Sequence, residues 1–343
     1  MTASAENIAS LLLAWYDAHA RDLPWRARPG DPRPDPYRVW LSEVMLQQTT
    51  VAAVKPYFAA FTSRWPTVEA LAAAPEEKVM AAWAGLGYYS RARNLVKCAR
   101  VVAARGGFPE TEAELRELPG LGAYTAAAVA AIAFGQRAVV VDANVERVTA
   151  RLFAIAEPLP AARKAIRAAV DAITPDRRAG DFAQAMMDLG ATICTARDPR
   201  CLLCPLSGEC AGRASGDPAR FPVKAPKKAK PRRTGSAWWI AREGRVWLVR
   251  RPGSGMLGGM RALPDDGWSA RGDGSGEPPV VGEWREAGAV RHGFTHFDLE
   301  LRVMVFVGAA KPPGEGEWWP VEELEAAGLP TLFAKAARRA VTD

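Results

Sequence analysis

Leu118-Pro-Gly-Leu-Gly-Ala-Tyr-Thr-Ala126 is the stretch on which the reading of this 343-residue chain turns. Pro119 cannot continue a helix, so it ends the one before it. Gly120 and Gly122 permit positive φ and free the backbone N–H groups of the turn to face outward. A helix then starts into the apolar run Ala126–Phe134. N–H groups at a helix N-terminus can hold a phosphate oxygen; a two-glycine turn between helices also occurs as plain structure. Upstream, Thr111-x-x-Glu114 is a capping box that opens a short helix ending near Leu118.

Helical character extends outward on both sides. Apolar residues recur at helical spacing in Ile8–Ala18, Val39–Val54, Glu76–Ala84, Arg91–Ala104 and Ala162–Ile173. Asp142 lies twenty residues past Gly122, at the end of the apolar run Ala138-Val-Val-Val141. It suits a helix N-cap, and it equally suits a carboxylate held at the rim of an apolar wall. Cys194, Cys201, Cys204 and Cys210 fall within seventeen residues as C-x6-C-x2-C-x5-C. So compact a set points to a metal centre, an iron–sulfur cluster or zinc, with free thiols as the alternative. Cys98, alone on a helix, reads as a small buried hydrophobe.

The charge is concentrated. Residues 1–211 carry a net +2, residues 212–235 a net +7 and residues 236–343 a net −2. The middle segment is basic and proline-rich, which predicts an extended linker between two domains, 1–211 and 236–343. A basic excess suits a polyanionic partner such as nucleic acid. In the last region Ala237–Ala241 and Arg245–Arg250 flank Glu243-Gly244 as short strands. Leu299 to Val307 alternates like a half-buried strand, and Val321–Ala327 and Thr331–Ala340 look helical. The longest apolar run has nine residues where a membrane span needs about twenty. Residues 1–20 hold no Lys or Arg to start a secretory signal. A folded, cytoplasmic, monomeric protein with no membrane partner is the expectation.

Pro119-Gly-Leu-Gly122, Asp142 and the cysteine spacing together resemble the helix-hairpin-helix DNA glycosylases with a 4Fe-4S cluster. Val39-Trp-Leu-Ser-Glu-Val-Met-Leu-Gln-Gln-Thr49 and Gly85-Leu-Gly-Tyr-Tyr-Ser-Arg-Ala-Arg-Asn-Leu95 are similar, nearly residue for residue, to the adenine DNA glycosylases of the MutY family. The resemblance implies a mainly α N-terminal region of two helical subdomains with the cluster loop. It implies an α+β NUDIX-like lesion-recognition domain behind it. Its substrate would be double-stranded DNA holding adenine opposite 8-oxoguanine or guanine. Endonuclease III-like relatives place a Schiff-base lysine after the hairpin, where this chain has Tyr124. Excision by water, without coupled strand cleavage, follows.

Carried over residue by residue, the resemblance makes Glu43 the acid that protonates adenine at N7 and then helps to activate water. Asp142 would stabilise the sugar cation, with Tyr124 and Asn144 orienting that carboxylate and the water. Trp25, Arg26, Leu46 and Gln184 would wall the adenine pocket. Gln47, Thr49 and Tyr88 would contact the duplex at the lesion, Gln47 and Tyr88 as wedges. Gly120, Gly122, Arg197 and Arg200 would meet phosphates, and the four cysteines would ligate one 4Fe-4S cluster. Phe294, Thr295 and His296 match a family segment that usually reads Phe-Ser-His, and would read the opposite base. Thr295 keeps the hydroxyl and adds a methyl. Arg285-Glu286-Ala-Gly288 lacks the acidic pair of a NUDIX hydrolase, which implies a binding module without pyrophosphatase activity.

Overall fold

The computed structural model describes residues 5–225, 229–252, 256–308, 312 and 314–342. The chain divides into two compact units, Met1–Pro226 and Lys227–Asp343. The division falls inside the expected 212–235 linker, of which residues 226–228 lie outside the described residues. Much of the rest of that segment is folded. Gly212 and Phe221 are buried in the first unit, and Arg232 already opens a strand of the second.

The first unit contains α1 (Ala5–His19), α2 (Pro36–Leu46), α3 (Val51–Arg64), α4 (Val68–Ala72), α5 (Glu76–Ala82) and α6 (Tyr89–Arg105). It continues with α7 (Glu112–Leu115), α8 (Ala123–Phe134), α9 (Ala143–Leu152), α10 (Arg163–Ile173), α11 (Ala179–Thr192) and α12 (Ala211–Ala214). The helix α8 is the hub. Its residues from Thr125 to Ala133 are all buried, and it packs against α2, α7 and α11. Alanine on most faces lets these neighbours approach closely.

Two expectations need correction here. The periodic run Val39–Val54 is not one helix but breaks over Gln47–Thr50. Thr50 caps α3 by accepting from the Ala53 N–H, and the carbonyls of Val44, Met45 and Gln47 at the end of α2 bond to Arg91 instead of a next turn. Thr111 does cap α7, but that helix ends at Leu115. The Thr111 hydroxyl accepts from the Glu114 N–H, and the Glu114 carboxylate reaches back to the Thr111 backbone N–H and hydroxyl, which is the expected capping box.

The second unit carries β1 (Arg232–Trp239), β2 (Ala241–Arg242), β3 (Arg245–Arg250), β4 (Arg261–Ala262), β5 (Glu283–Gly293), β6 (Asp298–Val307), β7 (Glu317–Pro320) and α13 (Thr331–Val341). One sheet runs β1-β6-β5, with β1 parallel and β5 antiparallel to β6. The other centres on β3, paired with β2, β4 and β7. Leu299, Leu301 and Val303 of β6 face a core that α13 covers with Leu332, Phe333 and Ala336. The alternation of β6 thus has its physical cause in one buried face. Val321–Ala327 is a single 3-10 turn followed by loop, not the helix its composition suggests. Arg285–Gly288 lies in β5, at a bulge between Glu286 and Gly288.

Candidate active site

A cavity of about 700 Å³ opens beside the hairpin turn. Gly120 and Gly122 line one side of it, and Tyr124, Asp142 and Asn144 follow. Trp25, Arg26, Glu43, Leu46 and Gln184 also line it, and so do Gln47 and Thr49, which were expected at the duplex. Gly120 takes φ +81°, and a Cβ on it would stand 2.7 Å from the Asn94 Cβ, so this position tolerates glycine alone. Gly122 does not use positive φ. It is extended, at φ −83°, and serves as the N-cap of α8.

Glu43 sits on the inner face of α2 and is 6% exposed. Its Oε2 accepts from the Tyr124 hydroxyl at 2.8 Å. Burial raises the carboxyl to about 6, against the opposing pulls of that hydrogen bond and of the Arg26 charge; Asp142 adds to the rise. A solvated helix glutamate is thereby ruled out. Tyr124 itself is pushed well up by burial and stays a neutral donor. The resemblance has Tyr124 orient Asp142 and the water; in the structure its hydroxyl bonds to Glu43, because α8 packs on α2.

Asp142 caps α9, accepting from the Val145 N–H at 2.7 Å on Oδ1 and from the Asn144 amide at 2.9 Å on Oδ2. Both readings of this residue therefore hold at once: it is a cap, and it lines the cavity. Asn144 Oδ1 in turn accepts from Arg147, which also donates to the carbonyls of Gly190 and Cys194. A Cβ on Gly190 would lie 2.6 Å from that of Asn144, so α11 must offer glycine for α9 to seat here.

Gln47 and Thr49 stand at the cavity mouth, where Gln47 donates to the Thr125 hydroxyl at 3.1 Å. Gln184 is buried, not a surface polar group. Tyr88 lies outside the cavity, left-handed at φ +49° and 58% exposed, as an aromatic at a glycine-flanked turn should be. Arg91 braces both loops: its guanidinium donates to the carbonyls of Leu86 and Gly87 as well as to the end of α2 and to the Thr49 hydroxyl. No local motif marks this buried cation. Arg21, which lines the cavity, and the buried Asp188 that accepts from it were likewise unforeseen.

Cys194, Cys201, Cys204 and Cys210 line one small cavity, and none is in a disulfide. Among the described residues no three His, Cys, Asp or Glu side chains form a group that could hold a metal ion. Burial raises the Cys204 thiol to about 11, and its sulfur neighbours push the same way. Arg151, itself buried, donates to Cys194 Sγ at 3.3 Å and to the carbonyls of Thr195 and Ala196. Its charge suits a set of thiolates. Arg197 and Arg200 are exposed on the same loop.

In the second unit, Thr295 and His296 are exposed at the turn between β5 and β6. Phe294 is not a free wedge. It stacks on Phe297 at 4.7 Å and packs against His292 and Trp268.

A hairpin turn and two separately held carboxylates, Glu43 and Asp142, border one cavity, as a base excision repair enzyme requires. The model of that family, the HhH-GPD superfamily base excision DNA repair protein, matches residues 41–174, and a NUDIX domain matches residues 236–339. The adenine DNA glycosylase of Homo sapiens is 36% identical over an alignment covering 95% of this chain and 72% of that protein. The adenine DNA glycosylase of Mycolicibacterium smegmatis is 46% identical over 61% of this chain and 70% of its own. A solved thermostable thymine-DNA glycosylase is 32% identical, with a TM-score of 0.55, over 62% of this chain and 97% of that one. The chain belongs to the adenine DNA glycosylase family and is a DNA glycosylase of base excision repair.

Proposed function

We propose that this enzyme hydrolyses the N-glycosidic bond of adenine paired with 8-oxoguanine or guanine, and leaves the strand intact. The observation that carries the reading is the pairing of two differently held carboxylates in one cavity. Glu43 is buried against a neutral hydroxyl and holds its proton near pH 6. Asp142 is held by an N–H and an amide.

A purine leaves only slowly as an anion, so cleavage needs a proton on its N7 and negative charge beside the oxocarbenium-like sugar. Glu43 is the group that can donate that proton. Asp142 stabilises the sugar cation, and Glu43, ionised once its proton has gone, accepts one from the attacking water. Tyr124 holds the acid in place and Asn144 holds Asp142. With Tyr124 where a lysine nucleophile would stand, no amine is at hand to cleave the strand. The base must first leave the stack. Trp25, Arg26, Leu46 and Gln184 then enclose it, while Gln47, Thr49 and Tyr88 fill or line the gap in the duplex.

A 4Fe-4S cluster is the reading the four cysteines support, since four free thiols line one small cavity with the buried Arg151 guanidinium beside Cys194. Bound there, it would fix the loop that carries Arg197 and Arg200, which suit phosphate contacts, as do the N–H groups of Gly120 and Gly122. Thr295 and His296 supply a hydroxyl and an imidazole for the edge of the opposite base.

The test is a duplex with adenine opposite 8-oxoguanine, incubated with the enzyme and analysed with and without alkali. Cleavage that needs alkali is expected. Cleavage without it would mean a lyase, and none at all would remove the catalytic reading. Iron and sulfide near four each per chain are expected in the purified protein; stoichiometric zinc in a colourless protein would remove the cluster.

A further inference from the structure

Asp188 on α11 is fully buried, 0% exposed, and takes no part in the chemistry above. It is paired twice. Its Oδ1 accepts from the Arg21 Nε at 2.5 Å, and its Oδ2 from an Arg26 terminal nitrogen at 2.7 Å and the Arg21 backbone N–H at 3.1 Å. Arg21 and Arg26 both come from the loop between α1 and α2, and both line the cavity that contains Glu43. The hydrogen-bonding is divided cleanly. Arg26 bonds to Asp188, while Glu43 accepts from Tyr124.

That division is a choice between two partners. A guanidinium beside a buried carboxylic acid favours its ionised form and would draw it into an ion pair. A Glu43 so paired has no proton to give. Asp188 offers Arg26 a buried carboxylate, four residues along the helix from Gln184, so Arg26 can border the purine pocket without claiming Glu43. The groups that face Glu43 are Tyr124 from α8, Arg26 from the α1–α2 loop and Asp142 from the start of α9. Those around Asp188 are Arg21, Arg26 and the Tyr16 hydroxyl of α1, which burial keeps neutral.

We propose that Asp188 is a positioning residue for the acid step: it holds the Arg26 guanidinium in an ion pair and so leaves Glu43 free to carry its proton to the base. The inference rests on Glu43 being the acid. Purely structural anchoring of the loop by Asp188 would matter equally at every pH, whereas this role matters most where Glu43 is short of protons.

The experiment is the single-turnover excision rate against pH on a duplex with adenine opposite 8-oxoguanine, for the whole chain and three single variants. The wild-type rate should fall as pH rises past about 6, the value of Glu43. Asp188→Asn keeps the shape and removes the charge, and should move that fall to lower pH by about one unit. Its loss is then about tenfold on the alkaline side and shrinks toward acid pH. Arg26→Gln should move the fall the opposite way, to higher pH, whatever it does to the maximal rate. A loss by the same factor at every pH in Asp188→Asn, or an unmoved fall in Arg26→Gln, overturns the proposal. Should Asp188→Asn fail to fold, Asp188→Asn combined with Arg26→Gln decides: with the arginine gone the fall should match that of Arg26→Gln alone, and a fall that still lies below it overturns the proposal. Glu43→Gln separates the two readings. If it keeps the wild-type fall, Glu43 is not the acid. If it abolishes the fall while the other variants leave it in place, only the role of Asp188 is lost.

Discussion

In the helical unit Glu43, Gln184 and Asp188 are each at most 6% exposed, whereas in the strand unit Thr295 and His296 stand in solvent at a turn. The aromatic side chains show the same contrast. Phe294 is held inside a cluster with Phe297 and Trp268, leaving the polar pair beyond it outward. A proton transfer gains from a dry site, since burial is what lifts Glu43 into a usable range. Reading a base edge gains from access, because donors and acceptors must reach a surface that arrives from outside. The difference suggests that chemistry and selectivity can be damaged separately.

The largest separation should come from Glu43→Gln. Loss of the acid should lower the single-turnover rate by roughly 10²-fold or more while mismatch binding, measured by gel shift, largely survives. The same change should stabilise the fold. The folded value of about 6 lies above the ordinary 4.5, so the folded state binds the proton more tightly. Stability is thus undiminished below about pH 4.5 and falls as pH rises toward 6. Removing the carboxyl should return about 2 kcal/mol at pH 7.5 and nothing near pH 4, read by urea unfolding. An inactive variant of unchanged stability would mean that Glu43 is not held dry.

Arg91→Met tests the brace between the loops that carry Thr49 and Tyr88. It leaves several buried carbonyls without a donor and should destabilise the helical unit by roughly 2–4 kcal/mol. Mismatch affinity should fall with it, and the behaviour of the strand unit should not change.

Cutting the chain after Ala225 sharpens the comparison further. Phe221 and Val223 belong to the helical unit through the Arg151 Nε to Phe221 carbonyl bond and the Leu159 N–H to Val223 carbonyl bond. A chain ending at 225 should therefore fold and excise adenine opposite guanine, while losing most of its preference for 8-oxoguanine. A cut at 211 should instead destabilise the helical unit. Equal loss on both duplexes from the 225 cut would assign the strand unit to general binding.

The smallest effect should be His296→Ala. An exposed turn residue should change stability by less than about 0.5 kcal/mol. The preference for 8-oxoguanine over guanine, taken as a ratio of single-turnover rates, should drop severalfold. An unchanged ratio would remove His296 from base reading.

Much of the fold was legible because its signals are local. Pro119 and Gly120 mark the hairpin, Thr111 and Asp142 mark helix starts, and Leu299 to Val307 shows its buried face by alternation. Each depends on neighbours within a turn or a strand, which spacing records. The C-x6-C-x2-C-x5-C run is equally local, and the four sulfurs do share a cavity.

Other features depended on what packs against what. Val39–Val54 carries an unbroken helical period, yet it breaks at Gln47–Thr50 because Arg91, forty-four residues from Gln47, takes the terminal carbonyls. Tyr124 bonds to Glu43 across eighty-one residues, a partnership set by α8 lying on α2 and by no feature of either segment. Asp188 meets Arg21 and Arg26 at separations of 167 and 162 residues. The sequence by itself determined which segments turn, cap and alternate, and which side chains could carry the chemistry. Only the tertiary structure decided which carboxylate is dry, which is capped and which holds the arginines, because burial and ion pairing are properties of the surroundings and not of the residue.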